Sequence, residues 1–425
     1  MKKFYLQKNK KLKILHLSYS DILGGAAISA YRLNSALRKY TKLDSNMLVV
    51  KKYSKNKSVY SFENDFNLKL YYFINKIFFH LLKFQKKKNK ISQSINFTSI
   101  INLKSKIAKF DPDIIHLHWI NNSMISIKNI GTLNYKKVWT FTDMWPMSGT
   151  EHYPDYNRYI NGYNSLNKPN ENYGIDVDRF VWEKKKKYFK NSFKIISISD
   201  WLKKKINQSF LFRKNKVNVI PCTVDTEAWK PKNKARCKKK LNLDKYENLF
   251  LFSCSTGTID KRKGFDTILK IFNKKKYLNN KYLVVIIGRV DKNSLKKIKF
   301  NCKIYDDFYM GDVNFLRDIY CSCDLLLMPS IFEAFGQTSI EAGSCNVPTV
   351  GFSRTGLETA IIHKKTGYLS RNNSINDFEK GINWSLNNIK KLKKTTRKYI
   401  NKIFSYKVIA KEYEKIYLNL NDEGN

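Results

Sequence analysis

Acidic side chains are what this sequence most lacks: 35 Asp and Glu stand against 80 Lys and Arg, a formal charge of +45 on 425 residues. Such an excess suits nucleic acid, an anionic membrane or a phosphorylated small molecule, and does not choose among them. Lys and Asn are spread through ordinary helical stretches, so most of the excess reads as compositional bias. No zinc finger, compact basic recognition helix or aromatic RNA platform accompanies it, and nucleic acid is not expected as a partner. Long apolar runs are missing as well, for nothing approaches the roughly 18 to 20 uncharged residues of a spanning helix. The opening MKKFYLQKNKKLKILHLSY has no apolar signal core or cleavage region. That points to a cytosolic chain, with the inner face of a membrane as a further address. The seven cysteines, at 222, 237, 254, 302, 321, 323 and 345, are odd in number. Cys321 and Cys323 are too close for a Cys-x2-Cys knuckle, so reduced structural thiols and no metal site are expected.

Hydrophobic residues make up 42% of the chain, which excludes wholesale disorder, and the length suggests two domains of about 200 residues each. From Leu12 the run LKILHLSYS reads as a buried strand, followed by a turn at Gly24-Gly25 and a helix with Ala27, Tyr31, Leu33 and Leu37 on one face. This is strand, glycine loop and helix without the full GxGxxG signature. It is either the first βα unit of a parallel sheet and nothing more, or a place where Gly24 and Gly25 let the backbone approach a sugar or diphosphate. Residues 68–90 combine aromatic and aliphatic side chains with a basic end. Burial against their own domain is the first expectation for them, and contact with an anionic membrane surface the second.

Asp111-Pro112-Asp113 reads as a turn before the strand IIHLHW, whose alternation puts His116 and His118 on one face. His116 reads as structural. His118 lies nearer the carboxyl end of the strand, where open α/β sheets bind ligands, and is a candidate catalytic residue. A further strand, KVWTF, runs into the loop TDMWPMSGTEHYP, which offers Asp143 as a partner for sugar hydroxyls. Trp145 is read there as a stacking face or as loop packing, and His152 as a weaker candidate. Residues 225–245, where charge outnumbers core, read as a linker.

Alternation of strands and helices resumes with NLFLFSCS, where Arg262, Lys263 and Gly264 precede a helix, and continues through YLVVIIG to DLLLMPS. That last apolar run ends at Pro329-Ser330, so Glu333 belongs to the loop beyond a buried strand and Glu341 to the following helix. Gly336 admits a close approach, and the backbone from Gln337 to Ser339 begins the helix. A purely structural alternative stands beside this, because Thr338-x-x-Glu341 fits a capping box with Thr338 as N-cap.

The stretch MPSIFEAFGQTSIE resembles the Glu-x7-Glu donor site of the GT-B glycosyltransferases, in particular the retaining family 4 that includes colanic-acid, capsular and lipopolysaccharide transferases. The resemblance implies an α/β fold of two Rossmann-like parallel-sheet domains facing across a cleft. An acceptor domain would occupy 1–225, a nucleotide-sugar domain 226–395, and a C-terminal helix in 396–425 would return to the first. It implies a nucleotide-sugar donor, no other cofactor, and a hexosyl transfer to a hydroxyl of a surface-polysaccharide or lipid-linked glycan. Glu333 would approach the transferred sugar, Glu341 the donor ribose, and Lys263, with Arg262 beside it, the diphosphate. Gly336, Gln337 and Thr338 would meet the phosphates from the backbone, and Gly24-Gly25 matches the family's N-terminal glycine loop. Thr142-Asp143-Met144-Trp145-Pro146 resembles an HDMWP segment, with Thr142 where that branch has histidine. Threonine cannot reproduce an imidazole's titration. A noncatalytic glycan- or nucleotide-sugar-binding protein of the same fold is the alternative this raises.

Overall fold

The computed structural model describes residues 11–62, 67–86, 92–190, 193–254, 257–306, 312–371 and 373–423. The chain forms two compact units. The first takes residues up to Ile198, Leu202–Ile220 and the chain from Ile409 onward; the second takes Ser199–Trp201 and Pro221–Val408.

In the first unit the strands are β1 (Lys13–Ser20), β2 (Asp44–Lys51), β3 (Val59–Ser61), β4 (Gln85–Lys86), β5 (Ile114–Leu117), β6 (Lys136–Phe141), β7 (Tyr173–Gly174), β8 (Lys194–Ser197) and β9 (Val217–Val219). Seven of them make one parallel sheet in the order β3-β2-β1-β5-β6-β8-β9, while β4 and β7 pair as a short antiparallel ribbon. Successive buried residues such as Ile14, Leu15 and Leu17 follow from helices covering both faces of a parallel sheet, which removes the polar face that alternation would mark. Strand order reverses between β1 and β5. Their carboxyl ends carry Gly24-Gly25 on one side and His118 and Trp119 on the other, and the amide of Tyr19 donates to the carbonyl of Trp119 at 2.8 Å. Doubly wound sheets bind their ligands at such a switch point.

The second unit contains β10 (Asn248–Ser253), β11 (Tyr282–Ile287), β12 (Cys302–Tyr305), β13 (Leu325–Met328), β14 (Thr349–Phe352) and β15 (Gly367–Ser370), all parallel in the order β12-β11-β10-β13-β14-β15. Phe250, Phe252, Leu325, Leu327 and Val350 from the sheet pack with Phe265, Phe272 and Phe378 from the helices. Here the reversal falls between β10 and β13, so the loops holding Lys263 and Glu333 leave adjacent strands. The helix Ile389–Phe404 stays with this unit, with Thr396 and Ile400 against Gly343. The helix Tyr406–Asp422 carries the chain back into the first unit, where Tyr417 reaches His116.

Two expectations from the sequence are corrected. Residues 225–245 are no bare linker, because they hold the helix Lys234–Lys240, whose Cys237 is buried and whose Lys240 pairs with Asp318 at 2.5 Å. The helix Asn67–Leu81 is not buried against its own unit: Tyr71 is buried, whereas Leu70, Tyr72, Phe73, Ile77 and Phe79 are exposed. Of the stretch read as 68–90, residues 87–90 lie outside the described residues.

Candidate active site

The second unit's site is built by two loops that touch. Gly264 has φ +74°, and a Cβ there would fall 1.9 Å from the carbonyl oxygen of Pro329. Glycine is therefore required twice over, for the left-handed backbone and for the close approach of the loops after β10 and β13. The amide of Ile331 donates to the carbonyl of Arg262 at 2.8 Å, which fixes the two loops in register. From that frame Lys263 donates to Glu333 at 2.7 Å. Burial pulls the lysine's pKa down, but the Glu333 carboxylate opposes this by charge and hydrogen bond, and the net shift is upward. Arg262 turns to Asp260, its guanidinium 2.6 Å from that carboxylate.

Gly336, at φ +91°, opens the helix Gln337–Ser344. This overturns the capping box: Thr338 lies inside the first turn, its hydroxyl 3.3 Å from the sulfur of Met328, and it is not the N-cap. Glu341 is buried and accepts from the hydroxyl of Tyr320 at 2.9 Å. The hydroxyl of Thr258 donates to Asp291 at 2.7 Å and so ties the loop after β10 to the one after β11.

In the first unit Asp143 is the hub of the loop after β6. Its Oδ2 accepts from Nδ1 of His152 at 2.6 Å and from the indole of Trp119 at 3.1 Å, and its Oδ1 accepts from the amide of Trp145 at 2.9 Å. The other ring nitrogen of His152, Nε2, lies 2.9 Å from the Ser94 hydroxyl. The rings of His152 and Trp119 stack at 5.5 Å between centroids. Trp145 offers no sugar-stacking face, because it is completely buried with its indole donating to the carbonyl of Ser94 at 2.9 Å. Trp119 is the partly exposed aromatic of this group.

One residue that holds this loop from a neighbouring helix escaped the reading of the sequence. Lys185, one of four consecutive lysines, is wholly buried and donates to the carbonyls of Trp145, Ser148 (3.0 Å) and Gly149 (2.7 Å). Burial holds its pKa well below that of an ordinary lysine. The available signal was helical phase, since Lys185 falls four and three residues after the buried Val181 and Trp182. Asp21 was likewise missed: its carboxylate accepts from the amides of Ile22, Tyr53 and Ser54 at 2.8 to 3.0 Å and so anchors the start of the glycine loop. In that loop Gly24 has φ +93° and precedes the helix Gly25–Tyr40. A Cβ on Gly24 would meet nothing within 4 Å, so backbone conformation and not crowding calls for glycine.

His118 stands apart from these residues in a buried cluster with His16 and His116, whose ring nitrogens lie within 4.8 Å of one another. That spacing suits a metal, but two of the rings are held in a relay of hydrogen bonds that runs from Asn34 and Ser45 through His16 to His118. Ser45 donates to Asn34 at 2.7 Å and therefore accepts from Nε2 of His16 at 3.0 Å, which leaves Nδ1 of His16 to accept from Nε2 of His118 at 2.9 Å. His116 is held by Tyr417 at 2.6 Å and Thr140 at 2.7 Å. Every nitrogen of His16 and His116 is thus engaged. Burial depresses all three pKa values, that of His16 to about 3, so the imidazoles are neutral.

Residues 74–228 match the family model described as Glycosyltransferase Family 4, and residues 233–402 match that for Glycosyl transferases group 1. With parallel sheets of seven and six strands, the fold and these matches define a GT-B glycosyltransferase. Within that class the chain belongs to glycosyltransferase family 4. It is similar to the GPI3 subunit of phosphatidylinositol N-acetylglucosaminyltransferase from Saccharomyces cerevisiae, 24% identical over 267 residues that make up 60% of this chain and 57% of the yeast protein. The match thus spans less than two thirds of that relative. Among solved structures, sucrose-phosphate synthase from Thermosynechococcus elongatus superposes with a TM-score of 0.68 at 16% identity, covering 96% of this chain and 99% of the other. Anabaena HepE in complex with UDP and glucose gives 0.61 at 13% identity, covering 96% and 100%. At those identities the likeness is one of fold.

Proposed function

We propose that the protein transfers a hexosyl group, with retention, from a nucleotide sugar to a hydroxyl of a surface-polysaccharide or lipid-linked glycan at the cytoplasmic face of a membrane. The observation that carries this reading is the Lys263–Glu333 pair, held 2.7 Å apart on the two loops that leave the switch point of the second sheet. A cation and a carboxylate so close serve the two ends of a nucleotide sugar: Lys263 stabilises the departing diphosphate, and Glu333 accepts from hydroxyls of the transferred sugar and fixes its orientation. Amides at Gln337 and Thr338, where Gly336 opens the helix, add hydrogen-bond donors toward the phosphates. Glu341 is assigned to the ribose and Arg262 to a supporting cationic role. The leaving group needs no metal in this scheme.

On the acceptor side, Gly24-Gly25 leave room for a ligand against the backbone, and Asp143 acts through the His152 imidazole it holds. Thr142 supplies a hydroxyl where relatives of this branch have an imidazole. His118 is withdrawn from the catalytic set, since its ring belongs to the buried relay. The similar proteins support the donor class, with UDP and glucose bound by HepE and the yeast relative a subunit of a phosphatidylinositol N-acetylglucosaminyltransferase. The test is mass spectrometry of reactions that combine a nucleotide-sugar panel with membrane glycan acceptors. A hexose-shifted product that disappears in Glu333→Ala and Lys263→Ala is expected; unchanged product in both variants rejects the assignment.

A further inference from the structure

Four phenylalanines are exposed among the described residues, and all four fall in two neighbouring stretches of the first unit: Phe73, Phe79 and Phe84 in one, Phe180 in the other. Burial of large apolar side chains is favourable, so a folded chain that leaves several uncovered in one place has a use for them. The helix Asn67–Leu81 supplies the main stripe. Leu70, Phe73 and Ile77 follow one another at i, i+3 and i+7, with Phe73 60% exposed and Ile77 53%. The opposite side of the helix anchors it, through buried Tyr71 and through Asn75, which donates to the carbonyl of Asn122 at 2.7 Å. After the helix the chain enters the β4–β7 ribbon, where Ile175 donates to the carbonyl of Phe84 at 3.1 Å. That contact sets exposed Tyr173 and Ile175 beside exposed Phe84.

Charge identifies the partner. Residues 67–86 contain Lys69, Lys76, Lys83 and Lys86 and no carboxylate, and KKNK follows at 87–90. In the ribbon's continuation Asp176 is paired with Arg158 at 2.6 Å, and Asp178 is buried, bonded to Thr150 and Gln85. A second copy of the chain would have to oppose lysines to lysines across a two-fold axis, which disfavours self-association through this face. A partner that is apolar within and anionic at its surface satisfies both halves of the pattern, and no helix among the described residues is long and apolar enough to cross a membrane.

We propose that this face docks the protein in the plane of an anionic lipid bilayer, with Leu70, Phe73 and Ile77 entering the headgroup boundary and the lysines meeting lipid phosphates. Docking rests on this surface alone and stands or falls apart from the donor-site assignment. Sedimentation of the full chain with vesicles of phosphatidylcholine, with and without about 30% phosphatidylglycerol, tests it. Binding to the anionic vesicles is expected, falling at least about tenfold in Phe73→Glu/Ile77→Glu and about 100-fold in Lys69→Gln/Lys76→Gln/Lys83→Gln, the factor that about 1 kcal/mol per lysine gives for three. Leu278→Glu, exposed on the second unit, leaves binding unchanged. A milder Phe73→Ser/Ile77→Ser pair with an unaltered thermal transition separates lost docking from lost folding. Vesicle binding that survives the Glu and Ser pairs overturns the proposal. So does an absence of vesicle binding together with a concentration-dependent dimer that these pairs abolish.

Discussion

Nζ of Lys263 lies 2.7 Å from Oε2 of Glu333, joining the loop after β10 to the loop after β13 at the reversal of strand order. On the proposed reading this ion pair acts as one unit. Glu333→Gln and Lys263→Met are each expected to lower kcat/KM by about 100-fold or more, in the range seen when one preorganised charge is removed from a transition state. The double variant is expected to lose far less than the product of the two factors. Steady-state kinetics on the four-variant cycle measures this, and strict multiplicativity would show the two side chains working separately.

Gly264→Ala is expected to damage the same site without touching its chemistry. An added Cβ meets the Pro329 carbonyl at 1.9 Å on a backbone at φ +74°, so the two loops must part. A stability loss of about 1–3 kcal/mol follows from the strained conformation and the displaced contact. Urea denaturation reads the first effect, and calorimetric titration with nucleoside diphosphates reads the weakened donor binding.

Asp143 accepts three hydrogen bonds, so Asp143→Ala should cost stability, about 2–3 kcal/mol for the orphaned donors. His152→Gln is the cleaner probe of function. A fall in kcat of about tenfold or more is expected with donor affinity unchanged, because donor groups are assigned to the second unit. Pre-steady-state turnover beside donor titration distinguishes this from a loss of binding.

The relay His16–His118 and its neighbour His116 make the first unit acid-sensitive. Burial keeps these imidazoles neutral in the folded chain, while the unfolded chain takes up protons below about pH 6.5. Stability is therefore complete above that pH and falls as pH drops toward the folded value, about 3 for His16, at up to about 1.4 kcal/mol per pH unit for each histidine. Denaturant midpoints between pH 7.5 and 5 should show the decline. His16→Asn should flatten it.

Lys185→Met removes the ammonium that gathers three carbonyls of the loop after β6. Leaving those acceptors buried and unpaired is expected to cost about 3 kcal/mol and to loosen the neighbouring Asp143–His152 pair. Thermal melts measure the cost. Hydrogen exchange at residues 143–152 reads the loosening.

These predictions also mark how far the sequence could be read. The loop that carries the proposed donor site was legible because its parts are local: an apolar run ends at Met328 and the residues just beyond it must form the loop. Lys263 was legible for the same reason, before Gly264. The acceptor loop was legible only in outline, since what organises it joins residues far apart, Ser94 to His152 and Lys185 to Trp145. No local pattern records such pairings. Thr338 misled because a capping box needs the helix to start at a given residue, and the left-handed Gly336 starts it two residues earlier. The helix Asn67–Leu81 misled in another way, because apolar periodicity reports that a face avoids water and not what covers it.

The helix Tyr406–Asp422 bears on the order in which the molecule is made. Tyr417 closes on His116 at a separation of 301 positions, and Tyr413 lies 3.0 Å from the hydroxyl of Thr140, so two central strands of the first unit are sealed by a helix that is translated after the whole of the second unit. The second unit, apart from Ser199–Trp201, is drawn from one uninterrupted stretch and emerges ready to fold. The half that is translated first is therefore the half that is finished last, and until then its basic, phenylalanine-bearing helix is presented by an incomplete domain.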